Sequence, residues 1–209
     1  MDYANVSRNG FIYSAYSFCM GEHGGTHLDA PIHFNRNGWT LDQIPLANLI
    51  DVPAVLIDVE NDVNALVRPH EFVFGLSHIE AHEKSHGTIR SGSVVLVHTG
   101  WSKFWPDKIK YLGWDNATES LNFPVEMLIK ARQINGIGLD TASVDPGANQ
   151  AFSTHVLLAK EQIFSLENVA NLRTLLSETK SNCSLRLFIL PLNIVGGTGA
   201  PARILAYCE

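Results

Sequence analysis

The sequence predicts an α/β fold with a mixed sheet, and three observations support this. Short apolar runs rich in β-branched residues predict strands. Helical patterns with typical start and stop residues lie between them. Most of the strand runs are almost continuously apolar, which is typical of strands covered on both faces. A chain of 209 residues is long enough to bury a core and suits a single domain.

Four predicted strands alternate with four predicted helices, which is typical of an α/β chain. The strands are "AVLIDV" (54–59), "SVVLVHT" (93–99), "GIGLD" (136–140) and "RLFIL" (186–190). The helices cover 71–86, 124–134, 153–161 and 167–176. Pro124 suits the first turn of the second helix, and Gly136 follows its end. Glycine-rich stretches at 145–150 and 195–201 predict loops.

Composition argues against two classes of partner. The formal net charge is -6 and the isoelectric point about 5.8, without a basic stripe, so neither nucleic acid nor an anionic membrane is expected. No apolar run reaches the 18 residues or more of a membrane span. Residues 1–18 lack the pattern of a signal peptide, so the cytoplasm is slightly favoured and secretion stays open.

The number and spacing of the cysteines do not predict a disulfide framework. Cys19, Cys183 and Cys208 show no C-x-x-C spacing, and any pairing leaves one thiol over. We therefore expect isolated thiols and no disulfide framework.

The stretch "GEHGGTHLDAPIHF" (21–34) concentrates ligand-type side chains at His23, His27, Asp29 and His33. Imidazole nitrogens and carboxylate oxygens bind divalent ions of intermediate or hard character. In an extended chain, residues two apart share a face, so His27 and Asp29 can converge. Glycines before His27 allow His23 to bend towards them. The pattern predicts a metal site.

A second group follows far along the chain, at Asp140, Asp145, His155 and Glu167. Each residue alone suits a structural role, such as a residue at a helix terminus. A single loop supplies only part of a metal cage, so ligands from elsewhere in the fold are expected.

Three further histidines, His78, His82 and His86, are spaced four apart on a predicted helix and share one face. They lack the H-E-x-x-H pattern. A solvated helix face is the favoured interpretation.

These motifs resemble those of the metal-dependent cyclase superfamily, which includes bacterial kynurenine formamidases and isatin hydrolases. The resemblance rests on "HGGTHLDAPIHF", "GLDTASVDPG", "STHVLL", "LENVANL" and "PLNIVGGTGAPAR", in that order. It covers roughly nine tenths of the chain, from about residue 20 to the end.

The resemblance implies a fold and a set of roles. The fold is a swivelling β/β/α-type single domain over residues 1–209, without the first strand that relatives usually carry. The implied divalent cofactor is Zn²⁺ or Mn²⁺, with one or two ions per subunit, in a homodimer or homotetramer. The implied metal ligands are His23, His27, Asp29, His155 and Glu167. The implied catalytic residues are His33, as proton shuttle, and Glu167.

The expected function is hydrolysis of a small amide, formamide or cyclic amide, as in an arylformamidase or isatin hydrolase. A divalent ion lowers the pKa of a bound water from about 15.7 to about 7, which yields a nucleophile at neutral pH. Aromatic side chains at Phe34, Trp39 and Trp101 are candidates for substrate binding.

Two alternatives stay open. The first is a catalytically silent small-molecule-binding or interaction protein of the same fold, favoured by the missing first strand. The second is a metal-stabilised structural domain, although structural sites are usually closed and rich in cysteine.

Overall fold

A computed structural model of the chain describes residues 3–8, 11–69, 72–112, 132–145, 147, 150–179 and 183–209. Its centre is a closed barrel of seven strands, in the order β3-β7-β6-β5-β4-β8-β9, with β9 pairing back to β3. Two more strands, β1 and β2, form a separate antiparallel pair. The strands are β1 (Tyr3–Arg8), β2 (Phe11–Tyr16), β3 (His27–Asp29), β4 (Val52–Asp58), β5 (Val94–His98), β6 (Gly136–Leu139), β7 (Phe164–Glu167), β8 (Leu185–Pro191) and β9 (Gly199–Cys208).

Five α-helices lie among the described residues. They are α1 (Glu60–Ala65), α2 (Leu76–His86), α3 (Lys108–Leu112), α4 (Ser153–Lys160) and α5 (Leu172–Glu178). No helix in the described ranges has the length and apolar character that a membrane crossing requires.

The sheet is mixed, as predicted. Strands β4, β5, β6 and β7 run parallel, whereas the pairs β3–β7, β3–β9, β4–β8 and β8–β9 are antiparallel. All four predicted strands form within two residues of their expected bounds. Closure into a barrel was not predicted, because strand order depends on contacts between distant parts of the chain.

Both faces of the parallel strands are covered, which explains their continuous apolar runs. In β5, Val94 and Leu96 belong to the cluster inside the barrel, together with Leu28 and Leu166. The alternate residues of β5 face outwards, into a second cluster that includes residues of the helices. The barrel wall therefore separates two hydrophobic clusters.

Three helix predictions need correction or fall outside the described residues. The helix predicted over 71–86 is wrong at its start, because the observed helix begins only at Leu76. The predicted helix over 167–176 is wrong at its start, because Glu167 ends β7 and the helix begins at Leu172. The predicted helix over 124–134 lies almost wholly outside the described residues.

The cysteine prediction is wrong for two of the three residues. Cys183 and Cys208 form a disulfide, and only Cys19 is a free, exposed thiol. The two cysteines meet because β8 and β9 pair antiparallel along their length, with Leu185 opposite Cys208. Strand pairing at a separation of 25 residues is not legible from cysteine spacing.

We expect Cys183→Ser to destabilise the folded chain by about 3 kcal/mol, because the crosslink limits the conformational freedom of the unfolded chain. Urea unfolding without reductant measures this change. Cys19→Ser is the matched control and should leave the midpoint unchanged. Equal midpoints for both variants would show that the disulfide contributes no stability.

Candidate metal centre

The candidate centre is built on the pairing of β3 with β7. His27 lies opposite Glu167 and Asp29 opposite Ser165 in the antiparallel register. Side chains alternate along a strand, so Leu28 and its partner Leu166 on β7 point into the barrel. The four residues on either side of them, His27, Asp29, Ser165 and Glu167, therefore point outwards. The sequence H-L-D thus places two ligand-type side chains on the outer face of the barrel wall.

Asp29 is the hub of the cluster. Its Oδ1 accepts a hydrogen bond from His23 Nδ1 at 2.6 Å and lies 3.2 Å from His27 Nε2. Its Oδ2 accepts one from Ser165 Oγ at 3.1 Å and lies 3.6 Å from His155 Nε2. Burial disfavours the charged carboxylate, but the nearby imidazoles of His155, His23 and His27 outweigh it and hold the pKa of Asp29 well below its usual range.

His155, near the start of α4, is held by two carboxylates. Its Nδ1 donates to Asp145 Oδ2 at 2.6 Å, and its Nε2 lies 3.1 Å from Glu167 Oε1. Burial alone would lower the pKa of His155, but its hydrogen bonds with Asp145 and Glu167 and the nearby Asp29 carboxylate raise it to about 11. Burial and the charge of Asp29 raise the pKa of Glu167, partly offset by His155.

Asp145 fixes both the helix and the imidazole. Its carboxylate accepts the backbone N–H groups of Thr154 and His155, at 2.9 Å each, in addition to His155 Nδ1. These bonds overcome the effect of burial and lower the pKa of Asp145 to about 2. A carboxylate that accepts a hydrogen bond from one ring nitrogen of a histidine keeps the other ring nitrogen directed at a metal position. In His155, Nδ1 is bound to Asp145, and Nε2 faces Asp29 and Glu167.

A divalent ion fits this cluster. His27 Nδ1 donates to the carbonyl of Gly25 at 2.8 Å, while its Nε2 is buried without a hydrogen-bond partner and lies 3.5 Å from Glu167 Oε2. Ligand atoms of His27, Asp29 and Glu167 all lie within 4.8 Å of one another. An unpartnered buried nitrogen beside two carboxylates is costly unless a cation or proton joins them.

His33 lies at the exposed side of the cluster. Its ring stacks on His23 with centroids 4.0 Å apart, and His23, Asp29 and His33 form a second group with ligand atoms within 4.8 Å. Burial and the neighbouring histidines lower the pKa of His33, although Asp29 opposes them. Among the described residues, none hydrogen-bonds to the His33 ring. Burial therefore disfavours the protonated form of His33.

Sequence reasoning missed Thr198, in the last loop, and Gly199, the first residue of β9. His23 Nε2 hydrogen-bonds with Thr198 Oγ1 at 2.9 Å. At Gly199 a Cβ would lie 2.5 Å from His23 Cε1, so only glycine allows this close approach. The "GGTGAP" stretch offered a signal, but a tight turn explained its glycines equally well.

Thr26 joins the first motif to the second. Its hydroxyl donates to the carbonyl of Asn168 at 2.6 Å, directly after Glu167, and accepts from the N–H of Ala170. The threonine between the motif glycines and His27 therefore ties the histidine loop to the strand that carries Glu167.

The three predicted substrate-binding residues have different surroundings. Phe34 adjoins the cluster, with its ring 4.4 Å from that of His155. Trp39 packs against the cluster inside the barrel. Trp101 is buried and donates through Nε1 to the carbonyl of Tyr111. No contact within the described ranges joins Trp39 or Trp101 to the metal cluster, so their role stays a prediction.

The remaining histidines lie away from the cluster. His98 is buried and its Nδ1 lies 2.8 Å from Asp58 Oδ1. His78, His82 and His86 follow one side of α2, where they line a cleft of about 680 Å³ beside β4. Among the described residues, His78, His82 and His86 form no group with carboxylates of metal-binding geometry, whereas His98 forms one with Asp58 and Glu60.

Comparison with known proteins gives consistent matches. The model of the Cyclase family matches residues 3–146. The isatin hydrolase of Roseibium aggregatum is 32% identical over 200 residues, covering 90% of this chain and 72% of that protein. The kynurenine formamidase of Salinibacter ruber is 27% identical over 187 residues, covering 90% and 76%.

Solved structures agree with these relatives. Isatin hydrolase A from Ralstonia solanacearum superposes with a TM-score of 0.82 at 28% identity, over 100% of this chain and 81% of that one. An isatin hydrolase bound to the product analogue thioisatinate gives a TM-score of 0.81 at 29% identity, over 99% and 81%. These matches confirm the predicted fold class.

The mixed barrel, with a histidine–carboxylate cluster on its outer wall, defines an enzyme of the metal-dependent hydrolase class. The chain belongs to the Cyclase family. The prediction of a cyclase-type hydrolase is therefore confirmed.

We expect Asp145→Asn to weaken zinc binding by about 10- to 100-fold, because an amide makes a weaker hydrogen bond with His155 Nδ1 than a carboxylate does. Competition with a chromophoric chelator measures the dissociation constant. Asp107→Asn, which alters an exposed carboxylate, is the matched control. Unchanged zinc affinity in the Asp145 variant would contradict this prediction.

Proposed function

We propose that this chain is a metal-dependent hydrolase of an amide, formamide or cyclic amide. The observation that carries the proposal is the buried cluster around Asp29, with the unpartnered His27 Nε2 on one side and the exposed His33 on the other. Its relatives named isatin hydrolase and kynurenine formamidase support a small amide as substrate.

We propose five ligands for the ion. Asp29 belongs to two of the three groups of metal-binding geometry among the described residues, which supports a site for one ion or for two ions that share this carboxylate. The nitrogen and oxygen donors suit Zn²⁺ or Mn²⁺. The ligands are His23, His27, Asp29, His155 and Glu167.

The bound ion supplies water activation and polarisation of the substrate carbonyl. The protein supplies position and proton transfer. His33, with its free ring nitrogens and lowered pKa, accepts a proton from the attacking water and returns it to the leaving nitrogen. Glu167, whose pKa burial raises, serves as a ligand and as a second proton acceptor.

Two wider properties complete the proposal. The family resemblance supports a homodimer or homotetramer. Disulfides are rare in cytosolic proteins, so the bond between Cys183 and Cys208 favours the secreted alternative over the cytoplasm.

Purified protein restored with zinc or manganese should hydrolyse isatin or N-formylkynurenine, and a chelator should abolish the activity because the ion activates the water. Absorbance of the substrates follows the reaction. Turnover that survives complete metal removal would contradict the proposal. Tight substrate binding without turnover would instead support the silent binding protein.

We expect His33→Gln to retain zinc while turnover falls about 10²- to 10⁴-fold, the usual contribution of a positioned acid–base group. Elemental analysis measures the metal and initial rates measure turnover. In the parent protein, the rate should fall as pH drops through the His33 pKa, below 6.5, because a protonated imidazole accepts no proton. Loss of zinc from the variant would make His33 a ligand.

A further inference from the structure

A further group of ligand-type side chains lies where β4 and β5 end. The two strands run parallel, and Asp58 at the end of β4 lies opposite His98 at the end of β5. His98 Nδ1 is 2.8 Å from Asp58 Oδ1. Glu60 follows shortly after Asp58, and ligand atoms of these three residues all lie within 4.8 Å of one another. This β4–β5 group of Asp58, Glu60 and His98 shares no residue with the cluster around Asp29.

The backbone holds the Glu60 carboxylate beside the end of β5. Gly100 has a φ of 76°, and a Cβ at this position would lie 2.5 Å from Glu60 Oε1. Only glycine therefore lets the carboxylate rest on the turn that follows β5. The N–H of Val59 also donates to the carbonyl of His98 at 2.9 Å, which ties the start of α1 to the end of β5. The fold thus fixes where Glu60 lies.

A third carboxylate lies on the other side of the His98 ring. Asp140 is fully buried and accepts hydrogen bonds from the N–H and the hydroxyl of Thr99 and from the hydroxyl of Ser102. Its Oδ2 lies 4.0 Å from His98 Nε2. Among the described residues, this buried Nε2 has no hydrogen-bond partner. The two nitrogens of His98 therefore face two different carboxylates.

A neutral imidazole carries one proton and cannot serve both carboxylates. A proton on Nδ1 bonds to Asp58 and leaves the Nε2 lone pair facing Asp140, which is costly in a buried position. A proton on Nε2 is directed at Asp140 and leaves the Nδ1 lone pair free to bind a cation. Histidines that bind metals commonly direct their other N–H at a carboxylate, as His155 does with Asp145.

Charge and exposure around the group suit a cation. Among the described residues, no lysine or arginine pairs with Asp58, whose side chain is 44% exposed. The exposed Arg173 donates to Glu60 Oε1, and within the same described ranges Glu60 Oε2 has no hydrogen-bond partner. The group therefore combines a buried nitrogen with carboxylate oxygens that are open to water, which can complete the coordination shell of an ion.

We propose that the β4–β5 group is a separate structural cation site, in which His98 Nδ1, Asp58 and Glu60 bind one divalent ion. Carboxylates and water suit hard ions, and the imidazole nitrogen adds a softer donor, so Mn²⁺ suits the mixed set. The bound ion would join the end of β4, the end of β5 and the start of α1. The inference does not depend on the proposed hydrolase activity.

The test counts bound ions in the metal-free protein during titration with Mn²⁺, with electron paramagnetic resonance measuring the free ion. The parent protein should bind one ion per chain more than Asp58→Asn, in which this binding step weakens at least about tenfold because ligand charge sets affinity. An ion that binds only the folded chain stabilises it. Saturating Mn²⁺ should therefore raise the melting temperature of the parent more than that of Asp58→Asn.

Asp62→Asn is the matched control, because Asp62 is an exposed carboxylate on α1 outside the β4–β5 group. It should bind as many ions as the parent. Glu60→Gln provides the second test if Asp58→Asn fails to fold, and it should also lose one ion.

Three results would overturn the site. Equal ion counts in the parent and in the folded group variants would leave His98 as an imidazolium between two carboxylates. An equal loss in Asp58→Asn and Asp62→Asn would show diffuse attraction to an acidic surface. An equal rise in melting temperature for the parent and Asp58→Asn would remove the structural role.

Discussion

The burial of the Asp29 carboxylate is the constraint on which the candidate site depends. A buried anion is stable only when donors or cations surround it. Asp29 meets this need with Ser165 and with imidazoles from two distant parts of the chain. The same arrangement that compensates the carboxylate also gathers nitrogen and oxygen atoms at the distances an ion requires. Stability of the buried charge and capacity for metal binding thus have one physical origin.

The barrel keeps this arrangement in register. Leu28 and Leu166 fill the interior, and their strand neighbours face the cluster. A shift of one residue in the β3–β7 pairing would turn the proposed ligands into the apolar interior and the leucines outwards. The hydrophobic effect therefore fixes the direction of His27, Asp29 and Glu167, although none of them is apolar. Thr26 and the close approach of Gly199 hold the flanking loops to the same strands.

The cluster has a closed side and an open side, and hydrolysis requires both. His27, Asp29, His155 and Glu167 are almost fully buried, so their mutual interactions are little screened by water. His33 and Phe152 lie at the exposed side, where we propose that a substrate approaches. Asp145 fixes the orientation of His155 on the buried side, while the exposed side stays accessible from solvent. A hydrolytic centre needs both properties.

Local pattern by itself determined the parallel strands, the helix at 153–160 and the ligand types in both motifs, because side-chain periodicity and ligand chemistry are properties of neighbouring residues. The first motif even predicted the convergence of His27 and Asp29, which depends only on strand alternation. Tertiary structure decided the rest. Barrel closure, the bond between Cys183 and Cys208, the support of His155 by Asp145, and the place of Thr198 beside His23 all join residues through folding. Such contacts depend on strand order and loop paths, which no local pattern encodes.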